Sequence, residues 1–311
     1  MKIGFWGTPE IAEYYLEQLL IKHEVVFVVT GEDKPVGRHK TPVASPVKKY
    51  ALEKNITVFQ PASLLDMDFL SKIAEKKADI FIVVAYGKII PPKVFNMAQL
   101  KTINIHPSLL PKYRGAAPIQ WALINGESET GVTIQYINEK LDAGDILLQK
   151  KIPLNIDMTA EDLFNIVLPF GFNILDDVLN QLSEGKENLV KQNESEATYC
   201  GKINRETAHI DWGKSAFEIH NLVRGLNPKP IAWTEFKGKN FKIYKTKLFN
   251  DDLNPELKQG FLLGYKKRLI AGTGKGYLEI LELQPETKKI MDAGSFINGY
   301  RLTNGDFFGA G

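Results

Sequence analysis

In the first half of the chain, short, continuous apolar runs alternate with helical patterns, and this alternation limits the possible folds more than any other feature. Apolar runs at 2–6, 25–29 and 79–85 have the length of strands and show no regular polar alternation, and 131–136 is a further strand-sized segment. Strands that are apolar on both faces are typical of a mostly parallel sheet that helices cover on both sides. The first half therefore predicts an α/β fold.

Two segments between the strands carry further local signals. A long helical pattern spans 159–183, and we expect it to be interrupted near Pro169 because proline lacks the N–H of the helical hydrogen bond. Residues 31–46 are rich in charge, glycine and proline, and they predict a loop that ends where Ser45 and Pro46 can begin a helix.

The second half has a different pattern. After Gly185 the sequence becomes polar, as is typical of a linker. Beyond it, one helical segment precedes several short strands separated by glycine and asparagine turns, at 231–236, 241–246, 261–263 and 277–283. This pattern predicts a small β-barrel. We therefore expect a catalytic domain at 1–188, a linker at 189–206 and a C-terminal domain at 207–311.

Composition narrows the class of protein. The 311 residues are 44% hydrophobic and 24% charged. This apolar content is enough to bury a core, and it excludes global disorder. No apolar run approaches the roughly 18 residues of a membrane span, and the first residues do not resemble a signal peptide. The single cysteine, Cys200, excludes a disulfide within the chain. We expect a cytoplasmic protein without membrane contact.

Charge is unevenly distributed. Residues 201–311 carry 18 lysines and arginines against 12 acidic residues, whereas residues 1–200 carry 21 against 25. A C-terminal third with a net charge of +6 suggests a polyanionic partner. Charge alone favours the alternative that these are ordinary solvated surface lysines.

Several common kinds of site lack their sequence signals. The opening strand is followed by Gly4 and Gly7 but has Pro9 where a dinucleotide fingerprint needs its third glycine. The five histidines are scattered without ligand spacing, so no metal site is expected. A nucleophile elbow of the Gly-x-Ser-x-Gly type is also absent.

The densest polar cluster lies at the end of the predicted strand at 102–105. Asn104 and His106 are two residues apart, so their side chains point to the same face of the strand. An amide and an imidazole aimed at one point can bind an oxygen that gains negative charge, and the imidazole can transfer protons near neutral pH. Asp142 follows a later strand and can orient His106 or act as a base through water. A structural histidine and an ordinary turn remain an equal alternative on these residues alone.

These residues, with the Ser108-Leu109-Leu110-Pro111 loop and Arg114-Gly115, resemble the folate-dependent formyltransferases. The resemblance implies that Asn104, His106 and Asp142 are catalytic and that 10-formyltetrahydrofolate is the co-substrate. It implies a Rossmann-like catalytic domain followed by a C-terminal barrel that resembles an OB-fold. It also implies a monomer.

Further segments resemble the members of this family that formylate initiator methionyl-tRNA. They include Tyr113 to Gln120, Ile210-Asp211-Trp212 and Asn227-Pro228 with Trp233. The stretch 34–40 resembles the inserted loop with which these enzymes contact the acceptor arm of the tRNA. Lys34, Arg38 and Lys40 are therefore the expected tRNA contacts, together with a C-terminal domain that binds tRNA.

The same resemblance indicates the folate contacts. They are Ser108, Leu109, Leu110 and Pro111 lining the site, Tyr86, Gly87, Ile89 and Ile90 at the pterin ring, and Gly115, Gly144 and Asp145 at the adjoining wall. Two positions depart from the family pattern. Position 107 is proline where many members have a small residue, and His39 replaces a common glycine, which affects the details of the RNA contacts.

Other functions share part of this pattern. A formyltransferase acting on an amino sugar nucleotide or a purine precursor would share the catalytic residues but has no use for a basic loop. A hydrolase of formyltetrahydrofolate needs no tRNA surface. A protein that only binds RNA does not account for the Asn-His-Asp set.

Overall fold

A computed structural model describes residues 1–36, 41–251, 256–303 and 305–309. The predicted tRNA contacts Arg38 and Lys40 lie outside these residues. The chain divides into two compact units that interleave in sequence: Met1–Gly115, Gly131–Lys151 and Ile166–Tyr199 form the first unit, and Ala116–Thr130, Ile152–Asn165 and Cys200–Gly311 form the second. The contiguous domain boundaries expected from the sequence remain a proposal.

The strands are mostly short. In chain order they are β1 Lys2–Gly7, β2 Glu24–Val29, β3 Lys34–Val36, β4 Thr41–Val43, β5 Val58–Phe59, β6 Ile80–Val84, β7 Thr102–His106, β8 Arg114–Gly115, β9 Glu129–Tyr136, β10 Ile146–Pro153, β11 Tyr199–Cys200, β12 Ala232–Phe236, β13 Lys239–Phe249, β14 Leu262–Tyr265, β15 Arg268–Gly272, β16 Tyr277–Pro285 and β17 Met291–Asp292.

The helices separate these strands. They are α1 Glu10–Lys22, α2 Pro46–Glu53, α3 Met67–Glu75, α4 Pro92–Phe95, α5 Pro118–Ile124, α6 Ala160–Glu184, α7 Ala216–Gly225 and α8 Ala293–Gly299, with a 3₁₀ turn at Glu194–Glu196. Helix α2 begins as predicted: the Ser45 side chain accepts a hydrogen bond from Lys48 N and Pro46 occupies the first helical position.

A seven-stranded sheet in the order β10-β9-β7-β6-β1-β2-β5 is the centre of the first unit. Strands β5, β2, β1, β6 and β7 pair in parallel, and β9 pairs antiparallel with β7. The strands are apolar because both faces of the sheet are covered. The packing is close, since a Cβ at Gly4 would lie 2.4 Å from Phe27 and 2.7 Å from Phe81. This mostly parallel sheet confirms the predicted Rossmann-like α/β class.

Helix α6 continues through Pro169, so the predicted interruption is wrong. Proline removes one helical hydrogen bond. Two residues further on, however, helix α6 is closely packed at Gly171. A Cβ on Gly171 would lie 2.1 Å from the hydroxyl of Tyr15. The small residue lets helix α6 approach α1, and this burial outweighs the local cost of the proline.

The segment predicted as an unpaired loop at 31–46 contains a short hairpin. Strands β3 and β4 pair antiparallel, and Lys34 opposes Val43. Asp33, at the start of the hairpin, accepts hydrogen bonds from Lys48 Nζ at 2.8 Å and from Gln60 Nε2 at 2.8 Å. These side-chain hydrogen bonds hold the residue before β3 to α2 and to the residues after β5. Local sequence patterns show only that these residues are polar and do not predict the bonds between them.

The second unit contains a six-stranded antiparallel sheet. Its order is β12-β13-β16-β15-β14, and β17 pairs with β16. Phe236, Phe241 and Phe296 form the aromatic centre of its core, with ring centroids 5.2–5.8 Å apart. The predicted helix and short strands of the C-terminal region are confirmed as α7 and an antiparallel sheet, and the closure of that sheet into a barrel resembling an OB-fold remains a prediction.

Two further observations concern the described residues as a whole. None of the helices in these parts of the chain is both long and apolar enough to cross a membrane. Within the same described ranges, no group of three histidine, cysteine or acidic side chains is placed so that it could hold a metal ion.

Candidate functional site

The predicted catalytic pair lies at the carboxyl end of β7. Asn104 is opposite Val83 of the parallel neighbour β6 and opposite Gln135 of the antiparallel neighbour β9. His106 is the last residue of β7, and Pro107 follows it. Polar side chains at the carboxyl end of parallel strands occupy the place where α/β proteins commonly bind ligands.

A backbone carbonyl determines which ring nitrogen of His106 carries a proton. His106 is only 4% exposed, and its Nε2 lies 2.8 Å from the carbonyl oxygen of Tyr113. Because a carbonyl can only accept, Nε2 must donate. The neutral ring then has its lone pair on Nδ1, which lies 3.7 Å from Asp142 Oδ2. His106 can therefore accept a proton at Nδ1, next to a carboxylate that stabilises the resulting cation.

Asp142 brings its carboxylate to both members of the pair. Its backbone has a φ of +48°, in the left-handed region, and Gly115 N donates to Oδ2 at 2.8 Å. Oδ1 lies 3.5 Å from Asn104 Nδ2 and 3.3 Å from Gln135 Nε2. Hydrogen bonds this long are weak, so the amide of Asn104 and Nδ1 of His106 stay available to a substrate.

The loop at 108–111 surrounds the histidine with fixed backbone. Ser108 and Leu110 are buried, and Leu109 and Pro111 are half-buried. Ser108 Oγ donates to the carbonyl of Lys112 at 2.7 Å, and the Ser108 carbonyl accepts from the hydroxyl of Thr133 at 2.7 Å. The Ser108 hydroxyl is thus occupied within the turn, and the wall that this loop offers is mainly apolar.

The loop after β6 has the more open surface. Tyr86 and Ile90 are buried, whereas Ile89 is 87% exposed and Gly87, at φ +86°, has open space where a Cβ would lie. Burial raises the pKa of Tyr86 to about 12. Within the described ranges, its hydroxyl has no hydrogen-bond partner. Exposed backbone beside an apolar side chain is suited to a flat ring with polar edges.

The turn that carries Asp142 also contains Gly144 and Asp145. A Cβ on Gly144 would lie 1.8 Å from the carbonyl oxygen of Tyr136, so the backbones approach too closely for any side chain. The Asp145 carbonyl accepts from Tyr136 N at 3.0 Å. Gly115 contributes its N–H to Asp142, as described above. These three predicted residues are therefore gathered around the Asp142 turn.

Sequence reasoning assigned no role in this site to four residues that contact it, although Tyr113 and Arg114 belong to the motifs that carry the resemblance. Gln135 and Gln192 contact the Asp142 turn directly, Tyr113 supplies the carbonyl for His106, and the side chain of Arg114 is fully buried beneath Gln192. The sequence gives one indication for Gln135: it lies two residues after Thr133 on β9, so the two polar side chains share one face of the strand. Gln192 has none, because its neighbours are polar in the manner of a linker.

Of the predicted tRNA contacts, only Lys34 is described. It begins β3 and is exposed. It lies directly after Asp33, which Lys48 and Gln60 hold in place. The structure therefore places the first basic residue of the segment on a supported hairpin strand.

Comparison with known proteins identifies the family to which this chain belongs. The model of the formyl transferase domain matches residues 1–179, and that of the formyl transferase C-terminal domain matches residues 202–301. The chain belongs to the formyl transferase family, and it is an enzyme of the transferase class.

Curated relatives narrow the similarity further. A protein of Clostridium novyi named methionyl-tRNA formyltransferase is 41% identical, covering 96% of this chain and 97% of that one. A protein of Leptospira interrogans with the same name is 44% identical, covering 99% of this chain and 100% of that one. Both alignments include the catalytic and the C-terminal regions.

Solved structures support the fold. An N-formyltransferase from Helicobacter canadensis, in complex with folinic acid and dTDP-3-aminofucose, superposes with a TM-score of 0.68. It is 24% identical, covering 92% of this chain and 99% of that one. At this identity the comparison establishes a shared fold.

Proposed function

We propose that this enzyme transfers the formyl group of 10-formyltetrahydrofolate to the α-amino group of methionyl-initiator tRNA. The observation that carries the proposal is the convergence of Asn104, His106 and Asp142 at the carboxyl end of β7, with the proton on Nε2 of the histidine set by the Tyr113 carbonyl. Full-length similarity to proteins named for this reaction supports the acceptor.

The folate has a suitable place in the first unit. The loop from Tyr86 to Ile90 offers exposed backbone and the apolar side chain of Ile89, which fit the polar edges and flat face of a pterin. Leu109, Leu110 and Pro111 supply an apolar wall beside His106. Bound 10-formyltetrahydrofolate supplies a formyl carbon that an amine can attack. Gly115, Gly144 and Asp145 shape the side of the site formed by the Asp142 turn.

The three catalytic residues divide the work of the transfer. Asn104 Nδ2 and protonated His106 Nδ1 donate hydrogen bonds to the formyl oxygen as it gains negative charge. Asp142 stabilises the charged imidazole and accepts the proton of the attacking amine through water. The same groups return a proton to the nitrogen that leaves the formyl carbon, so that the products are the formamide and tetrahydrofolate.

Recognition of the tRNA falls to basic surfaces. Lys34 is exposed on β3, and Arg38 and Lys40 follow in the segment that resembles the tRNA loop of the family. A guanidinium can bind a phosphate or a base edge with two hydrogen bonds, so Arg38 is the main candidate. The net charge of +6 on residues 201–311 supports a second contact area in the C-terminal region.

The test follows formyl incorporation and tetrahydrofolate release together, with methionyl-initiator tRNA, the same tRNA uncharged, an amino sugar nucleotide and no acceptor. We expect incorporation only with the charged tRNA, and its loss in His106→Ala but not in His23→Ala. His23 follows α1, and its replacement removes an imidazole elsewhere in the first unit. Release without an acceptor would indicate a hydrolase, and incorporation into the sugar nucleotide would replace the proposed acceptor.

A further inference from the structure

The polar segment after α6 returns to the candidate site. Val190 and Ile146 exchange both backbone hydrogen bonds, at 2.8 and 2.9 Å. Further along, Thr198 N donates to the Pro111 carbonyl at 3.2 Å, and the Thr198 carbonyl accepts from Arg114 N at 2.9 Å. Residues 190–198 are therefore fixed at both ends against the elements that carry the Asp142 turn and the 108–111 loop.

Gln192 lies between these anchor points and binds the backbone of the Asp142 turn. The two N–H groups of its Nε2 are shared among three acceptors: the carbonyl of Asp142 at 2.9 Å, the carbonyl of Gly144 at 2.8 Å and Gln135 Oε1 at 3.0 Å. Gln135 in turn donates to Asp142 Oδ1 at 3.3 Å. One amide thus holds both the backbone of the turn and a side chain that contacts the carboxylate.

Arg114 fixes the orientation of this amide. Its Nε and Nη2 donate to Gln192 Oε1 at 3.1 and 2.8 Å. An arginine can only donate, so the oxygen of Gln192 must face it. Arg114 has no exposed surface, and it also makes a two-bond ion pair with Glu194 at 2.9 and 3.1 Å. The arginine holds the pKa of Glu194 below its usual range through these hydrogen bonds.

We propose that Gln192 is a positioning residue for Asp142, oriented by Arg114. Asp142 has a φ of +48°. This conformation costs free energy in a residue other than glycine and needs support from its surroundings. Gln192 supplies that support through the carbonyls on either side of Ala143, and the carboxylate then remains between Asn104 and His106. This proposal rests on the proposed function, since it assigns Gln192 a role in the same reaction.

Two variants test the proposal with the full-length enzyme. Gln192→Leu removes both the donor and the acceptor. Gln192→Glu keeps an acceptor for Arg114 but removes the donor. Because it retains the contact with Arg114, it tests the proposal even if the leucine variant does not fold. For both, kcat falls about 10- to 100-fold because small displacements of a catalytic group are costly. The KM values for folate and tRNA remain within about twofold.

Two readouts separate positioning from a general structural role. In an Asp142→Asn background, adding Gln192→Leu lowers kcat by less than about threefold, because effects that pass through one residue are not additive. The second readout is the split between kcat and KM: a displaced Asp142 lowers kcat and leaves the KM values for folate and tRNA unchanged, whereas a disturbed fold changes both. Asn193→Ala is the matched control: it removes hydrogen bonds to Ser195 and Glu196 in the same segment and leaves kcat unchanged.

The outcomes distinguish this proposal from the proposed function. A wild-type enzyme that does not formylate methionyl-tRNA overturns the function itself. An active wild type with unchanged kcat in both Gln192 variants overturns the positioning role. A loss that multiplies fully with Asp142→Asn, or that raises the KM values along with lowering kcat, also overturns it, because Gln192 would then act on folding rather than through Asp142.

Discussion

His106 Nδ1 lies 3.7 Å from Asp142 Oδ2, and the opposite ring nitrogen of His106 donates to a backbone carbonyl. The separation is too long for a strong hydrogen bond but short enough for a carboxylate to stabilise an imidazolium. A substrate proton or oxygen can therefore reach Nδ1 without first breaking a strong internal bond. This geometry makes the charge of Asp142, rather than a hydrogen bond to it, the feature that matters for His106.

Replacing that charge is the first prediction. Asp142→Asn keeps the size of the side chain and an oxygen for Gly115 N, but it no longer stabilises a protonated His106. We expect kcat for formyl transfer to fall about 100-fold or more, with the midpoint of unfolding nearly unchanged. Asp177→Asn, which removes an exposed carboxylate paired with Lys150, serves as the control. Full activity of the Asp142 variant would remove Asp142 from the catalytic set.

Gly144 offers a prediction on the backbone of the same turn. In Gly144→Ala the new Cβ would lie 1.8 Å from the Tyr136 carbonyl oxygen, a backbone atom with little freedom to move. We expect a loss of about 1–3 kcal/mol in the free energy of unfolding, together with reduced kcat, because the Asp142 turn must shift. Urea denaturation and initial rates measure the two effects.

Gly201→Ala is the matched control for this substitution. A Cβ there meets no atom within 4 Å, and its stability and activity should equal those of the wild type. If Gly144→Ala were equally harmless, the close approach of the turn to Tyr136 would not constrain the site.

The spacing of Asn104 and His106 made the centre of this site predictable, because alternate residues of a strand share a face. For Asp142 the sequence leaves two alternatives, a contact with His106 or an ordinary turn. The choice depends on the conformation of the turn after β9, which the sequence pattern does not fix. Gln192 was not predictable at all. Its neighbours are polar, and the segment is held by pairing with Ile146 and by a buried arginine, both distant in sequence.

The same limit explains the errors in the fold. Pro169 predicts a break in α6, but the packing of Gly171 against Tyr15 decides the outcome, and that contact joins residues far apart in the sequence. The sequence of β3 and β4 predicts a loop, because each strand has only three residues and no apolar alternation. Long apolar strands, in contrast, were placed close to their observed positions.

His220 gives a prediction for the pH dependence of stability. It is buried in the second unit, where Nδ1 meets the Thr246 hydroxyl at 2.9 Å and Nε2 donates to the Ile156 carbonyl at 2.9 Å. Burial lowers the pKa of His220 below its ordinary value of 6.5, and the nearby Arg224 lowers it further, while the Ile156 carbonyl and Asp157 oppose the shift. The unfolded chain therefore binds the proton more readily than the folded one.

The sign of the effect follows from this difference. The free energy of unfolding is highest above pH 6.5 and decreases as the pH falls through 6.5 toward the lower pKa of the folded state. Urea midpoints at several pH values between about 5 and 8 measure the slope. His220→Gln cannot titrate, so its slope should be shallower than that of the wild type. Parallel slopes would show that His220 does not contribute to the acid sensitivity.

The final prediction concerns the basic segment that begins at Lys34. Each lysine or arginine that neutralises a phosphate releases counterions, so the logarithm of the affinity for tRNA falls linearly with the logarithm of salt concentration. Arg38→Ala should weaken binding of methionyl-initiator tRNA and reduce the magnitude of that slope by about 0.7–0.9 if the arginine binds a phosphate. Fluorescence anisotropy at several salt concentrations measures both quantities.

A control variant separates a specific contact from a change in overall charge. Lys72→Ala also removes one positive charge, from an exposed lysine of α3 that pairs with Asp68, and its affinity and slope should match those of the wild type. The KM for folate should stay constant in both variants, because the folate site is built from other loops. Equal affinities and slopes for Arg38→Ala and the wild type would contradict the contact. A weaker affinity with an unchanged slope would instead indicate that Arg38 binds a base edge, because such a bond releases no phosphate counterion.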